Sequence, residues 1–243
     1  MDVERWVDHP NITAIIWAGV PGQENGNSLA DVLYGKVNPS GRLPYTIAKK
    51  LSDYPALTVD GGHNDKIPIN YSEKLLVDYR HFDAKNITPR FEFGLGLSYT
   101  TFAYSGLKVT KSIQPPVGTP AQNWVAGLTA SGNCVSTHAW LHSKLATVSF
   151  TLKNTGSVAG TEIPQLYLRY PASAGEPPRM LRGFDNVFLK AGESKTVSMT
   201  ITPLMVSIWD SAGQGWKRPA GIFGFNIGSS SRNVKLTASA TAI

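Results

Sequence analysis

The 243-residue chain is long enough for one large or two ordinary domains, and its 42% hydrophobic content can fill real cores. Charged residues make up only 16%, below the roughly 25% of an average soluble domain, while 23 Gly and 16 Pro point to many turns. No apolar run approaches the roughly 20 residues of a membrane-spanning helix, and the polar start MDVERWVDHP does not read as a signal peptide. The balance fits a secreted, β-rich protein, and the abrupt entry into structure reads as part of something longer.

Residues 13–19 (TAIIWAG) carry an unbroken apolar run with β-branching and end at Gly19, the pattern of a buried strand. A glycine-rich loop leads to Asn27-Ser28, a helix-capping signal. Leu29, Val32 and Leu33 then share one helical face, and Gly35 stops the helix. Asn38-Pro39-Ser40-Gly41 is a turn, after which Arg42 to Thr46 resume extended structure. Residues 1–50 are therefore expected to form a partial α/β domain, a strand–helix–strand unit with too few strands to close a sheet. Residues 51–101 show no long periodic segment and are expected to be a connector wrapping between domains. From residue 102 the texture changes. Strand-like stretches recur every 10–15 residues between glycine turns, with Val148, Phe150 and Leu152, and Val197, Met199 and Ile201, alternating inward. The expectation for 102–243 is a β-sandwich carrying a Pro/Gly/Ser-rich insertion at about 112–143.

Charge divides along the same line. Residues 1–101 hold 10 basic and 12 acidic side chains, whereas residues 102–243 hold 13 and 5. The bases are scattered singly with no nucleic-acid motif, so a solvated basic face is expected rather than a nucleic-acid partner. Cys134, the one cysteine, has no partner in the chain. Sequons begin at Asn11, Asn70 and Asn86, candidate N-glycosylation sites in keeping with secretion.

Few residues invite chemistry. Glu24 follows a strand-like run and opens a helix, yet no second carboxylate pairs with it in sequence; stabilisation of the helix N-terminus is the preferred reading. Gly19, Gly22 and Gly26 lack the spacing of a phosphate loop, and Pro21 removes an N–H such a loop would use. His138 and His142 have metal-pair spacing without a third ligand, so they are read as surface histidines and no metal is expected. Asp78-Tyr79-Arg80-His81-Phe82-Asp83 is read as an arginine pairing with flanking aspartates at a domain junction. Trp209, Asp210 and Trp216 are read as packing. Trp124, Trp140, Tyr167 and Tyr170 stay open as sugar-binding platforms.

Several longer blocks resemble one family. AGVPGQENGNSLADVLYGKVNPSGRLPYT, VDYRHFDAKNITPRFEFGLGLSYTTF, NTGSVAGTEIPQLYLRYP, MLRGFDNVFLKAGES, VSIWD and GIFGFNIGSSSRNV together are similar to the C-terminal part of glycoside hydrolase family 3, nearest to fungal secreted β-glucosidases. The resemblance spans nearly the whole chain except the insertion at 112–143. It implies that the fold is mainly β, an incomplete α/β-sandwich piece followed by a fibronectin III-like (immunoglobulin-like) sandwich. It implies a retaining β-glucosidase parent whose Asp nucleophile and Glu acid/base lie in segments preceding those seen here. The chain alone is expected to be inactive, with no catalytic residue and no cofactor. Its expected partners are the rest of the parent enzyme or, in a lectin-like alternative, carbohydrate; no membrane partner is expected. An unpaired strand at 13–19 would require burial, a homo-oligomer or aggregation.

Overall fold

The computed structural model describes residues 3–58, 67–112, 118–130 and 136–241. Cys134 lies outside the described residues.

The second half of the chain folds into facing antiparallel sheets. Its strands are β1 (Phe102–Lys111), β2 (Ala146–Asn154), β3 (Gly160–Glu162), β4 (Gln165–Arg169), β5 (Met180–Phe184) and β6 (Val187–Leu189), followed by β7 (Ser194–Ile201), β8 (Ile208–Asp210), β9 (Gly215–Lys217), β10 (Ile222–Gly228) and β11 (Val234–Thr241). One sheet runs β1-β2-β7 and the other β11-β10-β4-β5, with β3-β6 and β8-β9 as two-stranded additions. Register explains the core. Val148 faces Met199 and Phe150 faces Val197 across β2 and β7, while Leu166 faces Ile227 and Leu168 faces Phe225 across β4 and β10. Residues directly opposite in a ladder point to the same side, so these pairs line two inner faces, and all eight are buried in one cluster.

The insertion contributes to that core. Helix α3 (Thr119–Val125) places Trp124, 0% exposed, into the cluster. Its indole Nε1 donates to Ser207 Oγ at 2.7 Å, and the Arg218 guanidinium lies 5.2 Å above the ring. Leu141 is also fully buried.

The first half departs from expectation at three places. Residues 42–46 form no strand, and only Ile47 beside them makes an isolated bridge. Residues 13–19 form no strand either and lie exposed, with Ile15, Ile16 and Trp17 at 38%, 46% and 44% exposure. A strand needs a ladder partner for its backbone groups, and no described residue supplies one there. Helix α1 (Asn25–Leu33) starts earlier than Asn27-Ser28, with Glu24 as its N-cap. Asn27 Nδ2 donates to Glu24 Oε2 and Ser28 Oγ to the Glu24 carbonyl, so both side chains bond inside the first turn instead of capping it. The end matches the reading: Gly35 follows with φ +76°, a backbone conformation that costs glycine least. No residue of α1 is buried.

Between the halves, helix α2 (Tyr79–Ala84) is short, and Ile47 bridges Phe91 in an isolated antiparallel contact. Leu43 and Ile47 exchange backbone hydrogen bonds with residues 90–95, which ties the exit of the first half to the connector.

Candidate functional site

At the loop before α1, the Glu24 carboxylate is exposed and bonded to Asn27. Nothing in this arrangement activates a carboxyl group for proton transfer. Its place at a helix N-terminus is the electrostatically favoured one. On either side of it in sequence, large apolar side chains are uncovered: Val20 is fully exposed, Leu29 and Leu33 are 41% and 56% exposed, and Tyr34 is 90% exposed. Where such side chains form a contiguous surface, they mark a contact site.

The opposite side of this region is tied down by polar groups. Asn38 Nδ2 donates to the Ala159 carbonyl, while its Oδ1 accepts from Ser98 and from the Tyr99 backbone. Arg42 reaches Glu162 at 3.2 Å, with side chains 9% and 5% exposed, and Tyr104 donates its hydroxyl to the same carboxylate. Burial and the Glu162 charge hold the Tyr104 hydroxyl far above the ordinary phenol range. Arg90 binds Glu4 and Asp8.

Asp78 and Asp83 do occupy a junction, but their partners differ from the expected Arg80. Asp78 accepts from the backbone and hydroxyl of Thr46 and from Tyr79 N. Asp83, its side chain 3% exposed, faces Arg179 at 2.9 Å and Arg232 at 3.2 Å, both from the sandwich. Burial nonetheless pushes its carboxyl above the usual range, outweighing the two guanidinium groups. Arg80 instead donates to the Val77 carbonyl. Nearby, Gln165 Nε2 bridges the carbonyls of Gly94 and Ser229, and Tyr167 donates to Gln165 Oε1.

The four aromatic candidates fall into two pairs. Trp124 and Tyr167 are 0% exposed. Trp140 packs on Trp124 at 5.9 Å, and the Tyr170 hydroxyl is held by the Met205 carbonyl and Arg182. A sugar needs a free ring face, which Trp124 and Tyr167 lack, whereas Trp140 and Tyr170 are half-buried. The packing reading of Trp209 also needs amendment. It is 45% exposed, although its ring meets Trp216 edge-on at 5.4 Å. His142 contacts the Ser136 carbonyl, and among the described residues no cluster of three His, Cys, Asp or Glu is placed to hold a metal ion. No helix of the described residues is long and apolar enough to cross a membrane.

A family model described as the glycosyl hydrolase family 3 C-terminal domain matches residues 1–99, and one described as a fibronectin type III-like domain matches residues 162–231. The chain is a C-terminal part of a glycosyl hydrolase family 3 protein. Among family 3 relatives, the protein named beta-glucosidase cel3A of Pyricularia oryzae is 45% identical over 99% of this chain. Probable beta-glucosidase L of Aspergillus terreus is 42% identical over 98%. The chain spans 31% of the length of each. The crystal structure of a beta-D-glucoside glucohydrolase from Trichoderma reesei superposes on 93% of this chain and 30% of its own, with a TM-score of 0.78 at 43% identity. A Chaetomium thermophilum beta-glucosidase gives 0.84 at 30% identity over 99% of this chain and 36% of its own. The inferred family and the mainly β fold with its fibronectin-like sandwich thus agree with both comparisons.

Proposed function

We propose that the chain is the supporting, non-catalytic portion of a secreted β-glucosidase that hydrolyses terminal β-glucosyl residues with retention. The observation that carries this reading is the exposed apolar surface around Trp17, Val20, Leu29 and Leu33, backed by a polar junction that holds it in a set place. In this reading residues 1–50 complete a larger α/β domain, 51–101 are its strap, and 102–243 are the buttress. The paired carboxyl groups that retaining hydrolysis needs, about 5–5.5 Å apart, belong to preceding segments. The sequons at Asn11, Asn70 and Asn86 all sit on exposed residues, as glycosylation during secretion requires.

The test is hydrolysis of p-nitrophenyl β-glucoside by the purified chain. The expected result is no turnover above buffer. Turnover that disappears in Glu24→Gln would overturn the proposal. A second arm co-expresses the chain with the preceding segments of a fungal relative. Trp17 should then lose solvent exposure, read as reduced fluorescence quenching by acrylamide. Without that partner, the same surface supports self-association, and light scattering over a concentration series measures it.

A further inference from the structure

An open cavity of about 510 Å³ lies on the outer face of the β10-β4-β5 ladder, roofed by the loop at 171–179. That volume falls within the roughly 300–1,000 Å³ of small-molecule sites. On β10, Gly224 opposes Arg169 of β4. A side chain at Gly224 would press on Arg169, with a Cβ meeting the arginine Cβ at 3.3 Å, so glycine leaves room for the Arg169 side chain that lines the cavity.

Three polar groups lining it have no internal use. Asn226 is only 8% exposed, and no hydrogen bond of its side-chain amide is found among the described residues. Its amide is not among the fully buried unpartnered polar atoms, so what remains accessible of this residue is open to solvent and to a ligand. The half-buried Glu176 carboxylate likewise has neither hydrogen bond nor ion pair among the described residues, and burial pushes its pKa above the usual carboxylate range. The exposed Arg169 guanidinium also forms no ion pair among the described residues, and so does not neutralise Glu176. Pro177 and Pro178 add apolar walls, and Tyr170 lines one side.

We propose that this cavity binds a neutral saccharide ring. Asn226 offers a donor and an acceptor to one hydroxyl pair, Glu176 accepts from hydroxyl donors, and Arg169 donates to ring or hydroxyl oxygens. The prolines pack against the C–H face of the ring. Arg169 and Glu176 carry opposite charges, and Arg179, which also lines the cavity, is paired with Asp83, so a neutral ligand leaves the site balanced. This site is separate from the activity proposed above and does not depend on it.

Saturation-transfer NMR and calorimetry on the full chain with glucose, cellobiose, glycine and acetate test it. The expected result is saturable binding of a sugar, weakened about tenfold or more in Asn226→Ala and in Glu176→Gln at unchanged Tm. If Asn226→Ala fails to fold, Arg169→Gln at an exposed position serves instead and should weaken binding likewise. Absence of saturable sugar binding overturns the proposal. So does preference for glycine or acetate, or wild-type sugar binding by folded variants.

Discussion

The sandwich and the N-terminal region contain similar apolar side chains and treat them in opposite ways. In β2, β4, β7 and β10 the inward residues sit at 0–7% exposure, because each strand finds a facing strand within the chain. Around α1, Ile15, Trp17, Val20 and Leu29 have no such counterpart and stay exposed. Hydrophobic burial is a property of partners rather than of residues. A pattern such as TAIIWAG therefore specifies a strand only where a ladder is available.

The sharpest way to break this comparison is a matched pair of truncations. Phe150→Ala should lower unfolding free energy by about 3–5 kcal/mol, while Leu29→Ala should change it by less than about 0.5 kcal/mol, both read by urea denaturation. Equal losses would mean that the N-terminal surface is buried in solution. Next in size is the buried pair joining the two regions. Arg42→Ala should cost about 3–5 kcal/mol by leaving Glu162 charged and unpaired, whereas Arg42→Met with Glu162→Leu should recover most of that loss. Gly94→Ala should cost about 1–3 kcal/mol. Its φ is +80°, and a Cβ there would collide with the Gln165 amide that anchors the connector. Its effect should appear as faster hydrogen exchange across residues 90–96, with the β2–β7 core unchanged.

The smallest effect concerns acid. Thr129 Oγ1 and the backbone N–H groups of Gly213 and Ala212 hold Asp210 below the usual carboxylate range. A depressed folded-state pKa contributes stability above the unfolded value, and that contribution is lost as pH falls through the folded one. Asp210→Asn should lower Tm slightly at neutral pH, where the contribution is present, and converge on wild type at acid pH, where it is lost, so that its Tm-versus-pH curve is flatter.

Much of the sandwich was legible because period-2 alternation survives in β2, β7 and β10, where one face is core and the other is not. Strands β3, β6, β8 and β9 span three residues each, too short for a period to register. The role of Trp124 was hidden for another reason: a single aromatic in a Pro/Gly-rich stretch looks the same whether it faces a sugar or plugs a core. Asp83 was placed at a junction correctly, but its arginines lie far off in sequence, with Arg232 149 positions away, and no local pattern reports such a pair. The cavity polar groups come from β4, β10 and the loop before β5. Only the strand register brings them together.

The connector's anchors have a consequence for synthesis order. Ser231 donates its backbone N–H to the Phe93 carbonyl, Ser230 its hydroxyl to Glu92, and Arg232 reaches Asp83 and the Ile87 carbonyl. These receptors for residues 82–93 are made long after them, Ser230 138 positions after Glu92 and Arg232 149 positions after Asp83. That segment thus waits, unfastened, until residues 230–232 emerge. A nascent chain arrested before residue 229 should leave residues 82–93 open to protease, and extension well past residue 232 should protect them.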